Sequence, residues 1–301
     1  MLFLWRLELS IGTAYFLVSC AVSLELIAGL NRCTILFHWR RMRPCTSFRE
    51  TMATRALQSK FERSTFRSDD FFFSGMAVII LATVFVGFAR SYYLAGVFHA
   101  ALPNVLVHIH GAVFTSWIVL LITQTSLVAG GRVDLHRRLG LIGFAVACLM
   151  VVLGVMAATD SMARHFAPGN IGISQRAFYA VPIADMGAFA TLIYFGFRER
   201  FHPAAHKRLM LIATIVITDA AFIRWPIAVG WWNLQTAQIC CYTLLLFLAG
   251  YDLCSTRKIH LATLWGSLFV VVLMQMRTPI GHTALWQRFA TWVLSLVRSF
   301  H

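Results

Sequence analysis

Seven apolar runs, each long enough to cross a bilayer, leave this chain few folds to choose from. They fall at about 74–93, 104–129, 139–159, 178–197, 208–230, 234–252 and 260–276. A hydrocarbon layer about 30 Å thick takes about 20 apolar residues at about 1.5 Å each. Backbone in lipid must satisfy its own hydrogen bonds, so such runs fold as helices. Alternating ten-residue strands are absent, which argues against a barrel. The expectation is an all-α integral membrane protein with a seven-helix core bundle, or eight spans if a further run near the start is counted. Only 13% of residues are charged, against about 25% in soluble domains.

The loops alternate in charge. Arg55, Lys60, Arg63 and Arg67 precede the first span, Arg132, Arg137 and Arg138 follow the second, Arg198, Arg200, Lys207 and Arg208 follow the fourth, and Arg257 and Lys258 follow the sixth. The intervening loops carry only Arg90, Arg164 and Arg176. The positive-inside rule puts the rich side in the cytoplasm, so the core reads N-terminus in and C-terminus out, in a bacterial inner membrane. The net charge of +14 fits contact with anionic lipids at that face. The cations are scattered through short loops, with no basic groove and interleaved aromatics, so nucleic acid is not an expected partner.

Residues 1–71 read as an extension ahead of the spans. The run 11–30 is a further span, a signal-like segment, or untranslated sequence upstream of a start at Met52. Residues 72–278 form the membrane domain. Residues 279–301 hold a short apolar segment with Trp286, Arg288, Trp292 and Arg298, the pattern of an interfacial helix. The seven cysteines form no CxxC pair, so neither a disulfide framework nor a structural metal site is expected. Walker, GxSxG, HExxH and GxGxxG motifs are missing in the required contexts, so no enzyme class is indicated.

One phrase occurs twice. His136-Arg137-Arg138-Leu139-Gly140-Leu141-Ile142 returns as His206-Lys207-Arg208-Leu209-Met210-Leu211-Ile212. Each copy opens an in-to-out span after a basic turn, which suggests a parallel repeat of 104–159 and 178–230. Asp134 is expected to cap the third span, and Pro203 to be the first residue of the fifth. The two histidines then lie at similar depth and could face each other. Alternatively they are interfacial, with Arg137, Arg138, Lys207 and Arg208 on lipid phosphate.

Ionisable residues inside spans are costly and point to function. Asp185 and Arg224 lie about 10 Å below the outer end of the fourth and fifth spans at about 1.5 Å per residue and are expected to pair. Asp219 is deeper. His108 and His110 begin the second span, with Pro103 as its first helical residue, on nearly opposite sides of the helix. Gln235, Gln238 and Tyr242 form one stripe on the sixth span, Tyr179 sits near the outer mouth of the fourth, and His282 follows the seventh. Together they outline an outward-facing polar pocket.

Three phrases carry a resemblance: His108-Ile109-His110-Gly111, then Asp134-Leu135-His136-Arg137-Arg138-Leu139-Gly140, then His206-Lys207-Arg208-Leu209-Met210. Over about residues 72–295 the chain resembles uncharacterised bacterial multi-spanning membrane proteins. It is also loosely similar to transmembrane haem proteins of the ferric-reductase kind, and that similarity implies paired histidine ligands. Three functional expectations result. The first is a haem-binding redox protein with His136 and His206, or His108 or His110 with His282, on the iron. The second is a carrier or receptor for a small polar or anionic ligand, and the third a non-catalytic subunit packed on a membrane-complex partner.

Overall fold

A computed structural model describes residues 52–100, 104–164, 173–225 and 234–299 of the chain. The alternatives for the run 11–30, a start at Met52 included, and the role of Pro103 lie outside the described residues. Contacts divide the chain into residues 1–58 and 59–301, and the helices and contacts that follow belong to the second unit, into which α1 runs. The described residues are predominantly helical, with no strand among them, as the apolar runs require.

The helices are α1 (Met52–Phe88), continued by a π-turn Ala89–Tyr93, α2 (Val105–Ala129), α3 (Val133–Ala163), α4 (Gln175–Phe178), α5 (Ala180–Arg198), α6 (Pro203–Ile217), α7 (Asp219–Phe222), α8 (Leu234–Thr256), α9 (Leu261–His282) and α10 (Ala284–Ser299). Six helical segments are long and apolar enough to cross a membrane: Asp69–Tyr93, α2, α3, Gln175–Arg198, α8 and α9. The membrane-spanning, multi-pass character read from the sequence is therefore shown. The expected fifth span is not one unbroken helix.

That span stops at Thr218. The run Thr214-Ile215-Val216-Ile217-Thr218 is β-branched throughout, and such side chains crowd the preceding turn. The Thr218 hydroxyl donates to the Ile215 carbonyl at 2.6 Å and its N–H goes to the same oxygen at 3.1 Å, a tightening that ends the regular ladder. Helix α1 seals the break. A Cβ on Gly87 would lie 2.3 Å from the Ala221 carbonyl oxygen, and the Trp225 indole donates to the Thr83 carbonyl at 3.2 Å. Gly87→Val should therefore cost at least the about 1–3 kcal/mol of an overpacked core, read as a lower melting temperature in detergent. A melt equal to wild type would show that α1 does not press on α7.

The hairpin turns follow local chemistry. Gly131 has φ +71, and Arg132 N–H reaches the Leu127 carbonyl while Gly131 N–H reaches Val128, a Schellman closure that only glycine makes without strain. Asn104 caps α2 by accepting from Val107 N–H at 2.9 Å, and Pro203 opens α6 as its first residue. Asp134 is not the cap of α3: Arg132 holds that position, and Asp134 sits in the first turn, where its charge suits the helix dipole. Helix α5 packs against both α3 and α6, and α9 against α5 and α6. The core runs between them through Phe189, Leu192, Ile212, Ile215, Leu248 and Val270. Helix α10 lays Ala290, Val293 and Leu294 against Ala158, Met162 and Tyr179.

Candidate functional site

Two polar centres form, one at each end of the bundle. At the end bearing the repeated phrase, His136 is the fourth residue of α3 and His206 the fourth of α6. Their rings meet with centroids 6.2 Å apart and planes at 79°. Each ring is latched to the helix before it. His206 Nδ1 bonds the Gly196 carbonyl at 2.8 Å. Gln124, with its amide turned so that its oxygen accepts from Gly140 N–H at 3.0 Å, donates through its nitrogen to His136 Nδ1 at 2.6 Å.

The cations of the two phrases behave differently from one another. Arg137 and Arg138 are exposed. Lys207 instead pairs with Asp69, whose other oxygen accepts from the Tyr251 hydroxyl at 2.6 Å. Arg208, expected on lipid phosphate, is only 3% exposed. It donates to Asp252 through Nε (3.0 Å) and Nη2 (2.5 Å). Asp252 also accepts from the Thr263 hydroxyl (2.6 Å) and His260 N–H (3.1 Å). His260 caps α9 by accepting from Ala262 N–H at its Nδ1, which needs that nitrogen unprotonated. Burial, and then the Arg208 charge, hold its pKa below the usual imidazole value, so the cap is kept in its accepting form.

At the opposite end the expected Asp185–Arg224 pair is not made. Asp185 accepts instead from Arg277 Nη1 at 2.5 Å, and Arg277 Nη2 donates to Asp219 at 2.7 Å. All three are buried. Arg224 turns away: its guanidinium donates to the Ala220 carbonyl at 2.6 Å and lies 4.9 Å from the Phe88 ring centre. Arg277 escaped the sequence reading because the seventh span was ended before Pro279. A proline in the last turn costs one bond, to the Gln275 carbonyl, and α9 continues to His282.

The other pocket residues divide. Gln238 is buried and donates to the Met274 carbonyl at 3.1 Å, and Tyr242 lies close enough to Arg277 and Asp219 to feel both charges. His110 is half-buried, its ring 4.1 Å from that of Phe114. Tyr179 belongs to the α10 contact, bonded to the Thr159 hydroxyl at 2.9 Å and 5.8 Å from Trp286. His108, Gln235 and His282 are exposed. Among the described residues no three metal-binding side chains gather. No protein family, curated protein or solved structure matches the chain.

Proposed function

We propose that this chain is a haem-binding redox membrane protein, in which His136 and His206 are the residues that would hold the haem. The observation that carries the reading is the meeting of these two imidazoles, 6.2 Å apart, from corresponding turns of α3 and α6. Two imidazoles on one metal have their ring centres about 6 Å apart, given metal–nitrogen bonds of about 2 Å. The donor set favours haem over a bare ion. Structural zinc takes four protein ligands, whereas haem iron, already held by its macrocycle, asks for two.

One of the two latches fits as well. Metal-bound histidines are commonly oriented through their second nitrogen by a carbonyl or similar group. Ligation by Nε2 needs a proton on Nδ1. Gly196 imposes that form on His206, whereas Gln124 donates to His136 Nδ1 and holds the other tautomer there, so ligation by His136 Nε2 needs that amide to turn over. The exposed Arg137 and Arg138 have the charge to meet carboxylates at the membrane surface. Bound haem would supply one-electron chemistry. The charge asymmetry of the loops supports a location of this centre at the cytoplasmic face of a bacterial inner membrane, with anionic lipids beside it. The carrier reading puts Arg224 on the ligand with Asp185, Asp219 and a histidine exchanging protons, and here both acids bind Arg277 instead.

The test is an absorbance spectrum of the purified full-length protein after haemin titration. A saturable Soret band with split visible bands on reduction is expected. His136→Ala and His206→Ala should each abolish the low-spin spectrum, while His108→Ala keeps it. Absence of any protein-dependent Soret band defeats the proposal.

A further inference from the structure

Three charged side chains close the other end of the bundle, where α5, α9 and the α6–α7 break converge. Arg277 is 1% exposed, Asp219 1% and Asp185 6%. Two carboxylates share one guanidinium. The ion-paired set therefore carries two carboxylates against one guanidinium, in surroundings where an uncompensated ion costs several kcal/mol.

No neighbouring group adds a further ion pair to the two acids among the described residues. Arg224 is a further cation whose charge reaches Asp219, but its guanidinium is bonded to the Ala220 carbonyl and makes no salt bridge among the described residues. From α8, Cys240, Cys241 and Tyr242 face the acids, and from α2 His110 faces Arg224. These groups are neutral in their ordinary forms. Three buried polar atoms here lack a hydrogen-bond partner among the described residues: Asp219 Oδ1, Arg277 Nε and the Tyr242 hydroxyl. An anionic oxygen buried without a donor is costly, and the same oxygen carrying a proton is a donor itself.

We propose that Asp185 and Asp219 share one exchangeable proton across Arg277, so that the triad is a proton-binding site inside the membrane. Like charges held by one partner do not both ionise readily, and the two acids titrate as a unit. A proton is also the one cation that needs no cavity at side chains this buried. The proton resides on Asp219 Oδ1, the oxygen that Arg277 does not reach. Its arrival weakens the tie from α9 to the helix break and leaves the tie from α9 to Asp185 on α5. Its release restores two equal claims on Arg277. This site stands apart from the histidine pair and does not depend on haem.

Infrared difference spectra of the full-length protein in detergent, recorded across a pH titration in H2O and D2O, test this. Wild type should show one carbonyl-stretch band of a protonated carboxylic acid at neutral pH, deuterium-shifted and lost at alkaline pH. Asp219→Asn and Asp185→Asn should each remove it, because a single carboxylate left on Arg277 stays ionised. Asp160→Asn, which alters an acid paired with Arg164 near the surface, should keep it. If one of the buried variants does not fold, the wild-type titration and the other variant still decide. A wild-type spectrum without the band, or a band surviving in either folded buried variant, overturns the proposal.

Discussion

Arg277→Met should be the most damaging single substitution in this chain, at about 3–5 kcal/mol. The methionine fills similar space, so packing loss is not the reason. The change leaves Asp185 and Asp219, on two different elements, facing each other in the bundle with no cation between them. The acid still ionised would have to take up a proton too, or the α6–α7 break would part from α5. The expected result is loss of monodisperse protein on size exclusion and a strongly lowered melting temperature in detergent. Adding Asp185→Asn and Asp219→Asn to the same chain should recover most of the loss, since neutral partners ask for no counter-charge. A triple variant as unstable as the single one would show that Arg277 acts through packing instead.

Arg208→Met should cost about 3 kcal/mol, the lower end for breaking a buried pair. Asp252 is fully buried, but its carboxylate would keep the Thr263 hydroxyl and His260 N–H after the arginine is gone. That residual support sets the ranking below Arg277. Arg208→Lys should recover only part of the loss. Arg208 approaches Asp252 with two nitrogens and the Ala204 carbonyl with a third, and an ammonium cannot reproduce that fork. Melting temperatures of the two variants, compared with wild type, check this. Equal stability of Arg208→Met and wild type would return Arg208 to the surface role that its loop position suggests.

The helices were legible because hydropathy and length leave lipid-facing backbone almost no alternative. The loop chemistry was partly legible: Pro203 opens its helix as expected, while Asp134 gives the cap to Arg132. Partnerships inside the bundle were harder. Asp185 and Arg224 lie at similar depth, but depth fixes only one coordinate, and which faces meet depends on how α9 rotates against α5. Arg277 sat just beyond an assumed helix end. Asp252 and Asp69 drew no attention because each lies at the edge of an apolar run, where a charge is ordinary. The facing of His136 and His206 could be raised from the repeated phrase, but its decision lay in side-chain direction.

The histidine latches also bear on how the protein is made. Residues 124 and 136, and 196 and 206, are close in sequence, so each contact closes within one helical hairpin. Contacts this local form as soon as both helices have left the ribosome, long before α9 exists. The α2–α3 and α5–α6 hairpins can thus insert as finished units. Assembly then waits on the last long helix, whose Arg277 is the piece that joins what was inserted separately.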